Sequence, residues 1–203
     1  MKVVLGILVV LVLALGVWLS LRLGQTAPGT VATTTPVAQV PAGWAEFSSA
    51  QFSIQYPQGY TPDDRYTYTG LGPTSTIMGV KFTIDPRVAS GTNLAADSYV
   101  SVEPLPGAIN SCSAEIYLSD AHPAGFQDVG GRRYSVATST GAGAGNRYEE
   151  VVFATPITQG CIAVRYMVHY GVLENYPEGA VQAFDRAALF SQFDAIRRTL
   201  VLK

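Results

Sequence analysis

The stretch CIAVRYMVHY, Cys161 to Tyr170, decides how the fold of this chain is read. Ile162, Val164, Tyr166, Val168 and Tyr170 occupy alternate positions, and a period of two places successive side chains on opposite faces of a strand. The other face carries Cys161, Ala163, Arg165, Met167 and His169 and is only half polar. A second layer, a helix or the segment around the other cysteine, is therefore expected to cover part of it.

Working outward, the same period predicts further strands. Phe52, Ile54 and Tyr56 alternate with Gln51, Ser53 and Gln55 until Pro57 ends the run. Met78, Val80, Phe82 and Ile84 are expected to share a face, with Asp85-Pro86 as the break. Leu94 to Asp97 reads as one helical turn capped by Asn93 or Thr92. A strand over Ser98 to Glu103 follows, with Val100 and Val102 on one face and Pro104 and Pro106 as stops. Ser111 to Leu118 reads as a short helix carrying Cys112, with Ile116 turned inward. From Phe126 a meander is expected: Gly130-Gly131 turns into Tyr134 to Thr140, Gly141 to Asn146 turns again, and Arg147 to Thr155 returns. The last element is a helix. Asp185 caps it, Phe184 and Leu189 sit where a hydrophobic staple needs them, and Leu189, Phe193, Ile196 and Leu200 recur at helical spacing. Arg197 and Arg198 fall in its last turn, where positive charge complements the helix dipole. The predicted fold class is α+β, an antiparallel β-sheet meander packed by a C-terminal helix and short helices.

The chain has 203 residues, 48% of them hydrophobic, enough to bury one core of ordinary size. From Val3 to Leu21 every residue except Gly6, Gly16 and Ser20 is apolar, and at about 1.5 Å per residue that run spans roughly the 30 Å hydrocarbon layer. Residues 1–23 therefore read as a single-pass signal-anchor of an inner (cytoplasmic) membrane, with cleavage after Ala27 as the alternative. Lys2 and the amino terminus outweigh Arg22, which keeps the N-terminus in the cytoplasm and the rest periplasmic or extracellular. Residues 24–43, rich in Thr, Pro and Ala, form an uncharged tether, and residues 44–203 the folded domain. Beyond Lys2 and Arg22 the chain carries eleven basic against fifteen acidic residues, with Arg132-Arg133 and Arg197-Arg198 as its adjacent basic pairs. A phosphate backbone needs a clustered basic face, so no nucleic-acid partner is expected.

FSIQYPQGY near the domain start, the central meander and the closing FDAIRRTLVLK resemble the PsbP-like family of small exported or lumenal α+β domains, across nearly all of residues 45–203. The chain also looks like uncharacterised anchored bacterial envelope proteins that share a GNRYEE hairpin and an ENYPEG…FD stretch. The resemblance implies a protein that binds or stabilises other proteins, and it transfers no functional residue.

Cys112 and Cys161 are the two cysteines, and an even count in an exported domain predicts one disulfide. His169, with Arg165 and Met167 on its face, is the candidate acid or base if the chain is an enzyme. Asp120 and His122 offer two cation ligands on a turn, too few for a metal site. Glu149 and Glu150 are neighbours on a strand and point to opposite faces, so they cannot act as a glycosidase pair. GAGAGN precedes a strand and not a helix, which makes it a hairpin turn and not a phosphate cradle. Tyr60, Arg65, Tyr66 and Tyr68, in YTPDDRYTY, form the candidate contact patch, with a sheet-packed loop as the other reading. No catalytic, cofactor-binding or metal residues are assigned. The expected function is a non-enzymatic, membrane-anchored extracytoplasmic domain that binds an envelope protein or polymer, with an envelope hydrolase acting near His169 as the alternative.

Overall fold

A computed structural model describes residues 41–203; the expected anchor and most of the tether lie outside them. Among the described residues no helix is long and apolar enough to cross a membrane. The strands are β1 (Trp44–Ser48), β2 (Phe52–Pro57), β3 (Thr61–Asp63), β4 (Thr67–Tyr68), β5 (Ile77–Met78), β6 (Val80–Thr83), β7 (Tyr99–Pro106), β8 (His122–Val129), β9 (Arg132–Gly143), β10 (Asn146–Ile157), β11 (Gly160–Gly171) and β12 (Val201–Leu202). The helices are α1 (Pro86–Ala89) and α2 (Arg186–Arg198). Mostly antiparallel strands with few helices make a mixed α+β domain, and every paired strand in it is antiparallel.

Cys161 to Tyr170 forms the heart of the main sheet. β11 lies fourth in the seven-strand order β3-β6-β7-β11-β10-β9-β8, between β7 and β10. Its Ile162, Val164, Tyr166 and Val168 are buried against Phe52, Ile54, Phe82, Leu189, Phe193 and Ile196, which come from β2, β6 and α2. Burying an aromatic or aliphatic side chain of this kind contributes about 1.5–3 kcal/mol. Asp185 accepts from the Ala188 N–H as the N-cap of α2, as its sequence predicts. Beyond α2, β12 adds to β2 and closes a small β1-β2-β12 sheet over the same core.

The half-polar face is covered as well. Tyr66, just before β4, Tyr68 and Ile77 from β4 and β5, and Ala114, Tyr117 and Leu118 from the disulfide segment, form a second core with Ala137, Val152, Ala154, Cys161 and Ala163. Cys112 and Cys161 are bonded across a sequence separation of 49, which ties that segment to the start of β11.

The meander runs as expected, but its strands are longer because their turns are tight. Gly130 (φ 59°) and Gly131 (φ 75°) link β8 to β9, and Ala144 (φ 49°) and Gly145 (φ 79°) link β9 to β10. A two-residue hairpin needs two left-handed residues, and both turns supply them.

Several local expectations change. Met78 is 74% exposed and Ile77 buried, because the backbone shifts at Gly79, where a Cβ would lie 2.4 Å from the Val102 carbonyl oxygen. Thr92 and Leu94 form isolated bridges to Gln182 and Tyr170 and not a helical turn; the helix lies earlier, at α1, where Asp85 caps it and Pro86 fits its first turn. The helix expected over Ser111 to Leu118 is two 3-10 turns, Ile109–Ser111 and Ala114–Tyr117, with Tyr117 fully buried. Pro104 does not stop β7, which ends two residues later at Pro106, the second of the expected stops. Arg197 leaves the helix end for the interior: its Nε donates to the Tyr166 hydroxyl at 2.7 Å and its Nη2 to Asp194 Oδ1 at 2.8 Å.

Candidate functional site

Polar chemistry in this domain concentrates first on Arg165, which β11 carries into the second core. Its Nε donates to Glu103 Oε1 at 2.9 Å and its Nη2 to Glu103 Oε2 at 2.8 Å, a bidentate pair with both side chains fully buried. Nη2 also donates to the Tyr117 carbonyl at 2.8 Å, and Nη1 to Glu150. The guanidinium lies 3.5 Å from the centre of the Tyr68 ring. Burial works against its charge, but the facing Glu103 and Glu150 raise its pKa above the ordinary arginine value, so it stays charged. Burial likewise pushes the Tyr68 phenol up to about 12, with Arg165 opposing and Glu150 reinforcing the shift. The neighbouring Tyr66 and Tyr99 phenols, bonded to each other at 2.7 Å, are raised by burial too. This constellation is satisfied and shielded, so it specifies which face of β11 packs where.

His169 stands at the far end of the same face. Its Nδ1 lies 2.8 Å from Asp97 Oδ1, the arrangement in which a carboxylate orients an imidazole, and its ring stacks on Tyr148 at 4.5 Å. Nε2, the nitrogen left to move a proton, is buried and has no partner. His169 borders none of the three grooves described below.

Of the four residues of the expected contact patch, Tyr60 is 3% exposed and donates to Gln192 Oε1, whereas Tyr66 and Tyr68 face the second core. Arg65 alone of the four is exposed, so they do not meet on one surface. Glu149 and Glu150 lie on opposite faces as expected: Glu149 accepts from Tyr170 and Arg186, and Glu150 from Tyr68 and Arg165. His122 opens the exposed edge strand β8. Among the described residues no cluster of three or more His, Cys, Asp or Glu side chains has the spacing to hold a metal ion.

The concave surfaces lie elsewhere. One groove of about 460 Å³ runs between the β1–β2 turn, β5 and the end of β7, walled by Phe47, Phe52, Ile77, Met78, Val80 and Leu105. A second, of about 450 Å³, lies between that turn and the β10–β11 turn, and Gln51 borders both. A third, of about 640 Å³, follows α2 past Val88 and Leu94. Each volume lies in the range of small-ligand or side-chain sites. The sequence reading missed the paired grooves, because their walls come from six segments spread along the chain. Its one available signal was the Pro-Leu-Pro run at the end of β7.

No family model and no curated protein matches this chain. Among solved structures, a crystal structure from Bacteroides thetaiotaomicron VPI-5482 aligns with 78% of this chain at 13% identity and a TM-score of 0.45. This chain spans about half of that protein's length, since the alignment covers 48% of it.

Proposed function

We propose that this chain is a membrane-anchored extracytoplasmic domain of PsbP-like type that works by binding an envelope protein at its grooved end. The observation that carries the reading is the apolar groove walled by Phe47, Phe52, Ile77, Met78, Val80 and Leu105, in which Met78 is exposed, with a second groove of mixed polarity meeting it at Gln51. Exposed apolar surface collected around concave walls is a feature of contact sites. The Cys112–Cys161 disulfide fits an oxidising compartment, and the apolar run Val3 to Leu21 supplies the anchor.

A photo-cross-linking residue placed at Met78 in the full chain tests this in intact cells, with Phe126, 66% exposed on β8, as the control position. Position 78 is expected to give a discrete protein adduct that position 126 does not. Equal labelling at both positions, or none at 78, overturns the reading.

A second reading, an enzyme acting at His169, has the 2.8 Å Asp97–His169 contact in its favour. It requires the Nε2 edge to open toward a substrate. Hydrolysis of an activated ester by the full chain, lost in His169→Asn, is its test.

A further inference from the structure

The first groove has an unbalanced wall, and the imbalance follows from where the prolines of β7 fall. In an antiparallel strand the N–H and C=O of one residue point to the same side, and successive residues alternate. The Ser98 carbonyl accepts from the Ile84 N–H at 3.0 Å, and the Val102 carbonyl lies 2.4 Å from where a Cβ of Gly79 would be, so even-numbered residues face β6. The Leu105 carbonyl lies 2.4 Å from where a Cβ of Gly160 would be, so odd-numbered residues face β11. Pairing of β6 with β7 ends at Val80 opposite Val102. Beyond it Pro104 and Pro106 present their even-numbered edge to the side on which Met78, Gly79 and Val80 line the groove. Proline has no N–H, so that edge offers carbonyl oxygens and no backbone donor. Asp64 adds a carboxylate to the same lining, while Lys203, in the adjoining groove, is held by Ser48 Oγ and the Ser49 carbonyl at 2.6 Å each.

We propose that this groove takes an extended peptide segment of the partner protein in which aliphatic residues alternate with Lys or Arg. The aliphatic side chains enter between Phe47, Met78 and Leu105, the segment's N–H groups meet the Pro104 and Pro106 carbonyls, and its cations, on the outward face of the segment, reach back on their flexible stems to the exposed Asp64. Charge and donor balance select this occupant. An anionic segment would meet the Pro104 and Pro106 carbonyls and the Asp64 carboxylate, with only neutral side-chain donors such as Gln51 and Thr76 to receive it. A second copy offering the same edge would set carbonyl against carbonyl. The two prolines also bar ordinary strand addition, which needs donors from both partners, and so leave the edge open only to a donor-rich segment. This rests on the binding reading above and names the chemistry of its partner.

The chain has three methionines, Met1, Met78 and Met167, so methyl-labelled methionine in the full chain gives one reporter in the groove and a second, Met167, on β11. Acetyl-VKVKV-amide is the probe and acetyl-VEVEV-amide its acidic counterpart. The basic peptide is expected to move the Met78 methyl resonance saturably and leave Met167 in place, and the acidic peptide to move neither. Asp64→Asn is expected to weaken the basic peptide about two- to fivefold, the range of an exposed ion pair, and Asp128→Asn on β8 to leave it unchanged. No saturable shift with either peptide, or equal shifts with both, overturns the proposal. If either result comes while position 78 still cross-links a protein, the partner chemistry fails and the binding reading stands; loss of both removes the reading itself.

Discussion

Arg165→Met removes the guanidinium that Glu103 and Glu150 both face. Arg165 and Glu103 are fully buried, and without Arg165 the Glu103 carboxylate keeps a single side-chain donor, Ser101 Oγ at 2.6 Å. Leaving one member of a buried ion pair uncompensated costs about 3–5 kcal/mol, a fifth or more of the 5–15 kcal/mol that typically holds a domain together. The loss combines the desolvated carboxylate with the cation–π contact to Tyr68, the latter contributing about 1–2 kcal/mol in a desolvated setting. The charge contribution is separable. In Arg165→Met/Glu103→Leu no carboxylate remains at 103, and apolar replacement of a whole buried pair is often close to neutral. The double variant is therefore expected to be more stable than Arg165→Met alone by about 2 kcal/mol or more. Glu150 is 18% exposed at its side chain, and Glu150→Gln is expected to cost nearer about 1 kcal/mol. Urea unfolding of the full chain followed by far-ultraviolet circular dichroism measures all of these. A cost below about 1 kcal/mol for Arg165→Met, or a double variant less stable than the single one, would refute the view that this ion pair is an electrostatic lock whose members depend on each other.

Three further outcomes follow from the same packing. Tyr60, Tyr66, Tyr68, Tyr99, Tyr117 and Tyr166 have phenol pKa values raised mainly by burial, that of Tyr68 to about 12 from 10.0. A pKa raised on folding stabilises the fold fully below pH 10 and progressively less as pH climbs through the folded value, so stability should fall above pH 10. In a spectrophotometric titration these phenolates should appear together with unfolding; a smooth titration of all eleven tyrosines near pH 10 while the fold persists would contradict this. Removing the disulfide with Cys112→Ser/Cys161→Ala frees a loop closed across a separation of 49 and should cost about 2–4 kcal/mol in the same urea assay. Ala144, left-handed at φ 49° in a hairpin turn, should be relieved by Ala144→Asn, raising stability by about 0.5–1 kcal/mol; unchanged or lower stability would count against strain at that turn.

Elements whose burial follows a regular period were legible in the order of residues alone. Alternation from Ile162 to Tyr170 identified the central strand and its apolar face, and the spacing of Leu189, Phe193, Ile196 and Leu200 behind Asp185 identified the packed helix, because one face of each must leave water. The cysteine pair announced its disulfide. The rest depended on contacts between segments distant in the chain. Tyr66 and Tyr68 sit in a polar, turn-rich stretch, and their burial depends on β4 and β5 folding over a face of β11 that lies about a hundred residues later. Arg165 looked like a residue of a half-solvated face, but Glu103 and Glu150 from the two neighbouring strands hold its charge inside. The grooves are the clearest case. Pro104 and Pro106 read as strand stops, and only the register with β6 and β11 shows which way their missing N–H groups would have pointed. Hydrophobic period reports which face of an element is buried, whereas an edge's donors and acceptors acquire meaning only once its neighbours are in place.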